Sequence, residues 1–310
     1  MDYKKIPRKI RRKYYEYRDN KQSQRIEKQK PKIKNLLHEI IGFEPESKTV
    51  DYYCQRIRKK EFTLKKLPLI LNPQNSPLYR KEKDDFNINF FERRFFSQYG
   101  EDGIIDFIFS IIGTTNKFFV EFGVGDGTEC NTRYLLEKKG WTGLMMDGGD
   151  DLKPHIKKEM ITAENINDLF KKYNVPKHFD LLSIDIDLNT YWVWKAIEDY
   201  FPKVVVIEYN SSIPPTESRA TKYDPLGMWD GTNYFGASLL ALVKLGELKG
   251  YTLVGCESHG VNAFFINDDL LDNKTKNKKI QGLYRPPKYG EMINGTYIGH
   301  PKSERIMREI

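Results

Sequence analysis

From residue 95 onward the chain alternates short apolar runs with amphipathic segments, and each change of period marks an expected element. "EDGIIDFIFSII" has helical spacing and "KFFVEFG" reads as a buried strand. "TECNTRYLLEKKG" is a helix closed by glycine, and "TGLMMDG" is a second strand. Next come "EMIT" with "NINDLFKKYN", "FDLLSIDID" with "TYWVWKAIEDYF", and "KVVVIEYN". After an irregular stretch over 211–236, "GASLLALVKLGELKG" is helical, and "YTLVGCES" and "VNAFFIN" close the pattern as two strands joined near His259 and Gly260. Such alternation predicts an α/β domain with a mostly parallel sheet covered on both faces. Its closing hairpin is expected to be antiparallel.

The chain before residue 95 reads differently. "KKIPRKIRRKYYEYRDNKQSQRIEKQKPKIK" lacks a sustained apolar stripe, which predicts a basic, partly helical or disordered arm over 1–34. Apolar spacing returns at "KNLLHEIIGF", so 35–94 is expected to be a helical extension packing on the core. Residues 95–268 form the main domain and 269–310 a C-terminal extension. Residues 1–85 hold 24 Lys+Arg against 12 Asp+Glu, a net +12 in a chain of net +8. That arm is either a solvated extension or a holder of phosphate backbone or another anionic surface.

With 310 residues, 39% of them hydrophobic, a sizeable core is expected. Cys54, Cys130 and Cys256 fit neither a disulfide framework nor a zinc spacing and are expected to be reduced thiols. No run approaches a membrane span and the N-terminus is charged, so a cytoplasmic protein without a transmembrane segment is expected.

The chemistry gathers at the expected carboxyl ends of the strands. Gly123, Gly125 and Gly127 follow the first strand, and a loop of this kind lets a ligand approach backbone and helix N–H groups. The spacing is E-x-G-x-G-x-G, which disfavours a dinucleotide dehydrogenase. The second strand ends in Asp147, 20 residues beyond Gly127, where a carboxylate is placed to accept ribose hydroxyls. "SIDID" puts Asp185 and Asp187 on one face, and "IEYN" does the same for Glu208 and Asn210. These four oxygen donors are a candidate magnesium site; otherwise Asp185 caps the pocket and Asp187 caps the next helix. Asp187 and His259 are candidate bases. Trp194, with Trp192, is expected to fill core rather than line a substrate wall. The 211–236 segment is expected to be an acceptor lid carrying Arg219, Tyr223 and Trp229.

The blocks "FSQYGEDGII", "FVEFGVGDGTECNTRYLL", "GLMMDG", "LLSIDIDLNTYWVWKAI", "VVVIEYN" and "YFGASLLALVKL" resemble the class I S-adenosylmethionine-dependent methyltransferases, in particular their FkbM-like branch. The resemblance covers about 95–268. It implies a Rossmann-like class I methyltransferase fold with a seven-stranded, mostly parallel sheet and an antiparallel closing strand. It also implies S-adenosyl-L-methionine as cofactor, held by Glu121, Gly123, Gly125 and Gly127 at its amino-acid end and by Asp147 at the ribose. Asn165 is implied against the adenine, Asp185 at the pocket's cap, and Gln98 along the pocket wall with Tyr99 and Glu101. Asp stands at 147 where many relatives carry Glu, which shortens the reach. The metal set resembles that of catechol-type and some sugar methyltransferases, although Glu208 replaces an Asp and Tyr209 intervenes before Asn210. The implied activity is O-methylation of a hydroxyl on a sugar or glycan. An RNA methyltransferase using the basic arm and a non-catalytic interaction module are the alternatives.

Overall fold

The computed structural model describes residues 8–293 and 295–310, with side chains from residue 20 onward; residues 1–7 of the expected arm lie outside the described residues. The chain divides into two compact units, Met1–Tyr79 and Arg80–Ile310. Segment 80–94 thus groups with the sheet rather than with the preceding helices. Phe91 shows why: its ring stacks on Phe107 at 3.6 Å with 3° between planes.

The first unit is helical, with α1 (Arg8–Ile41), α2 (Ser47–Arg58) and α3 (Leu67–Leu71). The expected arm is therefore one long helix that runs through Pro31. Its buried stripe is sparse but real: Ile26, Ile33 and Leu37 recur at helical spacing and pack with Val50, Tyr53, Cys54 and Phe62. Among the described residues no helix is long and apolar enough to cross a membrane.

In the second unit the elements are α4 (Tyr79–Asp84), α5 (Glu101–Ile112), β1 (Phe118–Phe122), α6 (Arg133–Lys138), β2 (Thr142–Asp147), β3 (Ile156–Lys158) and α7 (Ile166–Lys172). They continue with β4 (His178–Ile184), α8 (Thr190–Ala196), β5 (Phe201–Glu208), β6 (Arg219–Ala220), α9 (Leu239–Lys249), β7 (Tyr251–Cys256) and β8 (Asn262–Asn267). After β8 come β9 (Glu291–Ile293), β10 (Thr296–Gly299) and β11 (Arg308–Glu309). Seven strands form one sheet in the order β3-β2-β1-β4-β5-β8-β7. The pairs from β3 to β5 are parallel, and β8 runs antiparallel to both β5 and β7. This is the Rossmann-like, mostly parallel seven-stranded sheet with an antiparallel closing strand expected from the sequence.

Period two sorts the strand residues by face. Val120, Phe122, Leu144, Met146, Leu182 and Ile184 join one buried cluster with α7, α8 and α9, where Trp194 packs on Phe265 as a core residue. Glu121 and Ser183, paired in register, project to the other face. The third strand corrects the sequence reading. It is Ile156–Lys158 rather than "EMIT", because Ile156 is the residue of that stretch that pairs against Met145 with its side chain buried.

Candidate functional site

The strand order reverses between β1 and β4, so their carboxyl ends open a crevice, and the glycine loop leaves β1 there. Gly123, Gly125 and Gly127 all have positive φ, but for different reasons. A Cβ on Gly123 would stand 1.3 Å from the Asp185 carbonyl oxygen, and one on Gly127 would stand 2.7 Å from Ile156 Cδ1. Those two glycines answer to packing. Gly125 faces open space, with nothing within 4 Å of an added Cβ.

Asp147, at the end of β2, accepts from Gly125 N at 2.7 Å and from Gly149 N at 2.8 Å. The carboxylate expected at a ribose is thereby fixed against the open glycine. Glu121 does something else. It is 3% exposed and accepts from Asn131 N, Thr132 N, Thr132 Oγ1 and Ser183 Oγ, tying the start of α6 to the sheet. Burial raises its pKa. Asn165 stands just before α7, but its side chain turns back from the helix, accepting from Thr162 N and donating to Met160 O.

The "SQYGED" segment is built on two buried acids. Asp102 accepts from Phe95 N, Phe96 N, Ser97 N and Ser97 Oγ, while Glu101 accepts from Tyr99 N, Gly100 N and Asn262 Nδ2. Gln98 and Tyr99 are therefore held on the crest of a rigid turn, facing a cleft, with Glu101 beneath them. Burial pushes Asp102 up to about 6 against those four donors. We predict that Asp102→Ala, which leaves the Phe95, Phe96 and Ser97 backbone N–H groups without their acceptor, costs about 2 kcal/mol in a denaturant melt. An unchanged midpoint would show that the turn does not depend on this acceptor.

The cleft has a volume of 310 Å³. Gln98, Tyr99, Asp185, Asp187 and Glu208 form its polar side, and Trp229, Phe235, Val261, Tyr289 and His300 its apolar side. Asp185 and Glu208 face the same cleft and interact electrostatically. Burial, then repulsion from Asp187, pushes Asp185 up to about 7, and burial with the Asp185 charge holds Glu208 well above the usual range. The pair therefore retains at least one proton near neutrality. Asp187 stands exposed at the rim with φ +53°, a strained conformation for a non-glycine residue. Its pKa is raised by desolvation at the cleft mouth and then by the charge of Asp147.

The expected magnesium set does not assemble. Asn210 is fully buried with its amide turned away: Nδ2 donates to Asn233 O and Phe235 O, and Oδ1 accepts from Ser212 N and Oγ. Among the described residues no three His, Cys, Asp or Glu side chains are grouped to hold a metal ion. Asn210 instead anchors the 211–236 loop.

The other candidates divide. Trp229 lines the cleft. Tyr223 lies toward the Asn165 turn, accepting from Ala163 N and donating to Glu164, while half-buried Trp192 donates to Thr221 O. Arg219 is exposed on β6 and pairs with Glu217 at 2.8 Å, outside the cleft lining. His259 stacks behind Tyr99 at 4.0 Å, with Nδ1 3.3 Å from the Glu257 carboxylate, and is not part of the lining. The histidine in the cleft is His300, 4.5 Å from the Trp229 ring, with its pKa lowered by burial.

Tyr289 and His300 were missed by sequence reasoning. They come from the C-terminal extension, which returns over the sheet edge: Tyr209 Oη donates to Arg285 O, Tyr284 Oη to Ser211 O, and Lys288 N to His259 O, while β11 pairs with β6. The aromatic content of "YRPPKYG" was the available signal.

No protein-family model matches the chain, and no curated protein does. Among solved structures it is similar to that of an S-adenosylmethionine-dependent methyltransferase from Clostridium acetobutylicum ATCC 824. The two are 11% identical with a TM-score of 0.31, over 64% of this chain and 95% of that one. The strand order, rather than this distant likeness, carries the fold assignment.

Proposed function

We propose that the chain is an S-adenosylmethionine-dependent methyltransferase, FkbM-like in kind, that transfers a methyl group to a hydroxyl of a sugar or glycan. The observation that supports it is the meeting of three features at the switch point: an open, positive-φ glycine, a carboxylate fixed against that glycine's N–H, and an acid-and-aromatic cleft alongside. These residues fit the donor. Gly125 allows close backbone approach, Asp147 suits the ribose, and Asp185 with Glu208 suits the positive end. When bound, S-adenosylmethionine supplies a methyl already activated on a sulfonium.

The protein's share is then positioning and proton removal. Gln98 and Tyr99 form one wall, and the Trp229 and Phe235 rings offer an apolar face against which a sugar ring packs. Asp187, exposed at the rim with a raised pKa, accepts the hydroxyl proton as the oxygen bonds to the methyl carbon and the carbon–sulfur bond breaks.

Calorimetric titration with S-adenosylhomocysteine tests the donor site. Wild type is expected to bind, and Asp147→Ala to lose about tenfold or more in affinity while keeping its far-ultraviolet circular dichroism. Absence of binding to the folded wild type overturns the reading.

A further inference from the structure

The unit of residues 1–79 carries 21 Lys+Arg against 9 Asp+Glu, while residues 80–310 carry 30 against 34. This excess has a shape. A groove of 1130 Å³ runs between one face of α1 and the chain from Ile57 to Pro68. Gln22, Arg25, Gln29 and Lys32 form the α1 wall at i, i+3, i+7 and i+10, a single stripe about 15 Å long. Lys60, Lys65 and Lys66 stand on the facing wall. Gln22 Nε2 donates to Arg58 O at 2.6 Å, fixing the two walls to each other.

Two further features decide what the groove offers. Among the described residues, Arg25, Lys32, Lys60, Lys65 and Lys66 have no carboxylate partner, and the acid of the lining, Glu61, is taken by Arg56 at 2.6 Å. On the floor, Ile26, Ile57 and Phe62 are at most 9% exposed and belong to the unit's own core. Half-buried Leu36, Leu64 and Pro68 add apolar contact between the charged walls. Ammonium, guanidinium and amide N–H on two facing walls, with apolar side chains between them, make a surface for a flexible chain of regularly spaced anions whose bases lie on the apolar floor.

We propose that this groove holds a single-stranded nucleic acid by its phosphate backbone. The reading is independent of the methyl-transfer proposal. It also differs from binding by the basic arm alone, because it makes Lys60, Lys65 and Lys66 half of the site.

The test is fluorescence anisotropy of a labelled 20-nucleotide oligouridylate titrated with the full chain at several salt concentrations. K60E/K65E/K66E is expected to weaken binding about 30-fold at about 100 mM salt and to flatten the log–log salt slope by about 2. The charge-matched K157E/K276E/K279E, on the second unit and outside the groove's lining, is expected to change affinity less than about threefold. If the groove triple does not fold, R25Q/K32Q on the opposite wall is expected to lose about tenfold. Equal losses in groove and control variants overturn the proposal. So does a duplex of the same length binding as tightly as the single strand, or a stronger response to an acidic amphipathic peptide than to the oligonucleotide.

Discussion

Gly123→Ala is expected to lose about 4 kcal/mol or more of stability and to accumulate as unfolded chain. The methyl it adds would lie 1.3 Å from the Asp185 carbonyl oxygen, and φ is +79°. The left-handed conformation alone costs an alanine about 1–2 kcal/mol. The overlap costs more, because neither side is free to move: Gly123 N is bonded to Met146 O, and Asp185 N to Phe122 O. Relief would mean separating β1 from β4 at the centre of the sheet. Gly125→Ala separates packing from ligand binding. Its φ of +54° predicts a loss of about 1 kcal/mol with a normal fold, since the space around it is open. On the proposed function it also loses donor binding, because the backbone there must approach the ligand. Thermal melts and S-adenosylhomocysteine calorimetry on the two variants distinguish these roles. A Gly123→Ala protein as stable as wild type would contradict the packing described for the loop.

The contrast shows what a single sequence can and cannot carry. The strands Phe118–Phe122, Thr142–Asp147 and Phe201–Glu208 were legible because parallel strands buried on both faces leave continuous apolar runs. The edge strand was misplaced by a few residues because only Ile156 is buried in it, and one apolar residue sets no period. The acids were legible as a group but not in their roles. Glu121, Asp102 and Asp147 are alike in sequence, yet Glu121 and Asp102 serve buried backbone donors while Asp147 stands at an open loop. His259 and His300 were decided by tertiary contacts. A stacking partner and Glu257 draw the first behind Tyr99, whereas the return of the C-terminal extension, a non-local event, carries the second into the cleft.

The other large effect is a pH dependence that separates donor from product. Asp185 is pushed up to about 7 by burial and by Asp187, and burial with the Asp185 charge holds Glu208 well above the usual carboxylate range. Below that pH the pair holds both protons; above it the two carboxyls share one. On the proposed function the sulfonium of the donor lies against this pair and favours the ionised form, so binding below pH 7 must expel a proton. The affinity for S-adenosylmethionine is therefore expected to rise about tenfold from pH 6 to pH 8. That for S-adenosylhomocysteine, which lacks the sulfonium charge, should stay nearly flat. Calorimetry at pH 6 in buffers of different ionisation enthalpy should count the released proton for the first ligand and not for the second. Asp185→Asn should abolish both the pH dependence and the proton release.

Stability without ligand should move the opposite way. A carboxyl whose folded pKa is raised favours the folded state below its unfolded pKa, and that contribution is lost as pH rises through the folded value. The ligand-free protein is accordingly expected to melt lower at pH 8 than at pH 6, and Asp185→Asn to recover part of the difference. Parallel pH profiles for the two ligands would place the sulfonium away from Asp185 and Glu208. A ligand-free melting temperature that rises from pH 6 to pH 8 would show instead that the pair is ionised without penalty, and the cleft would then be wetter than its lining implies.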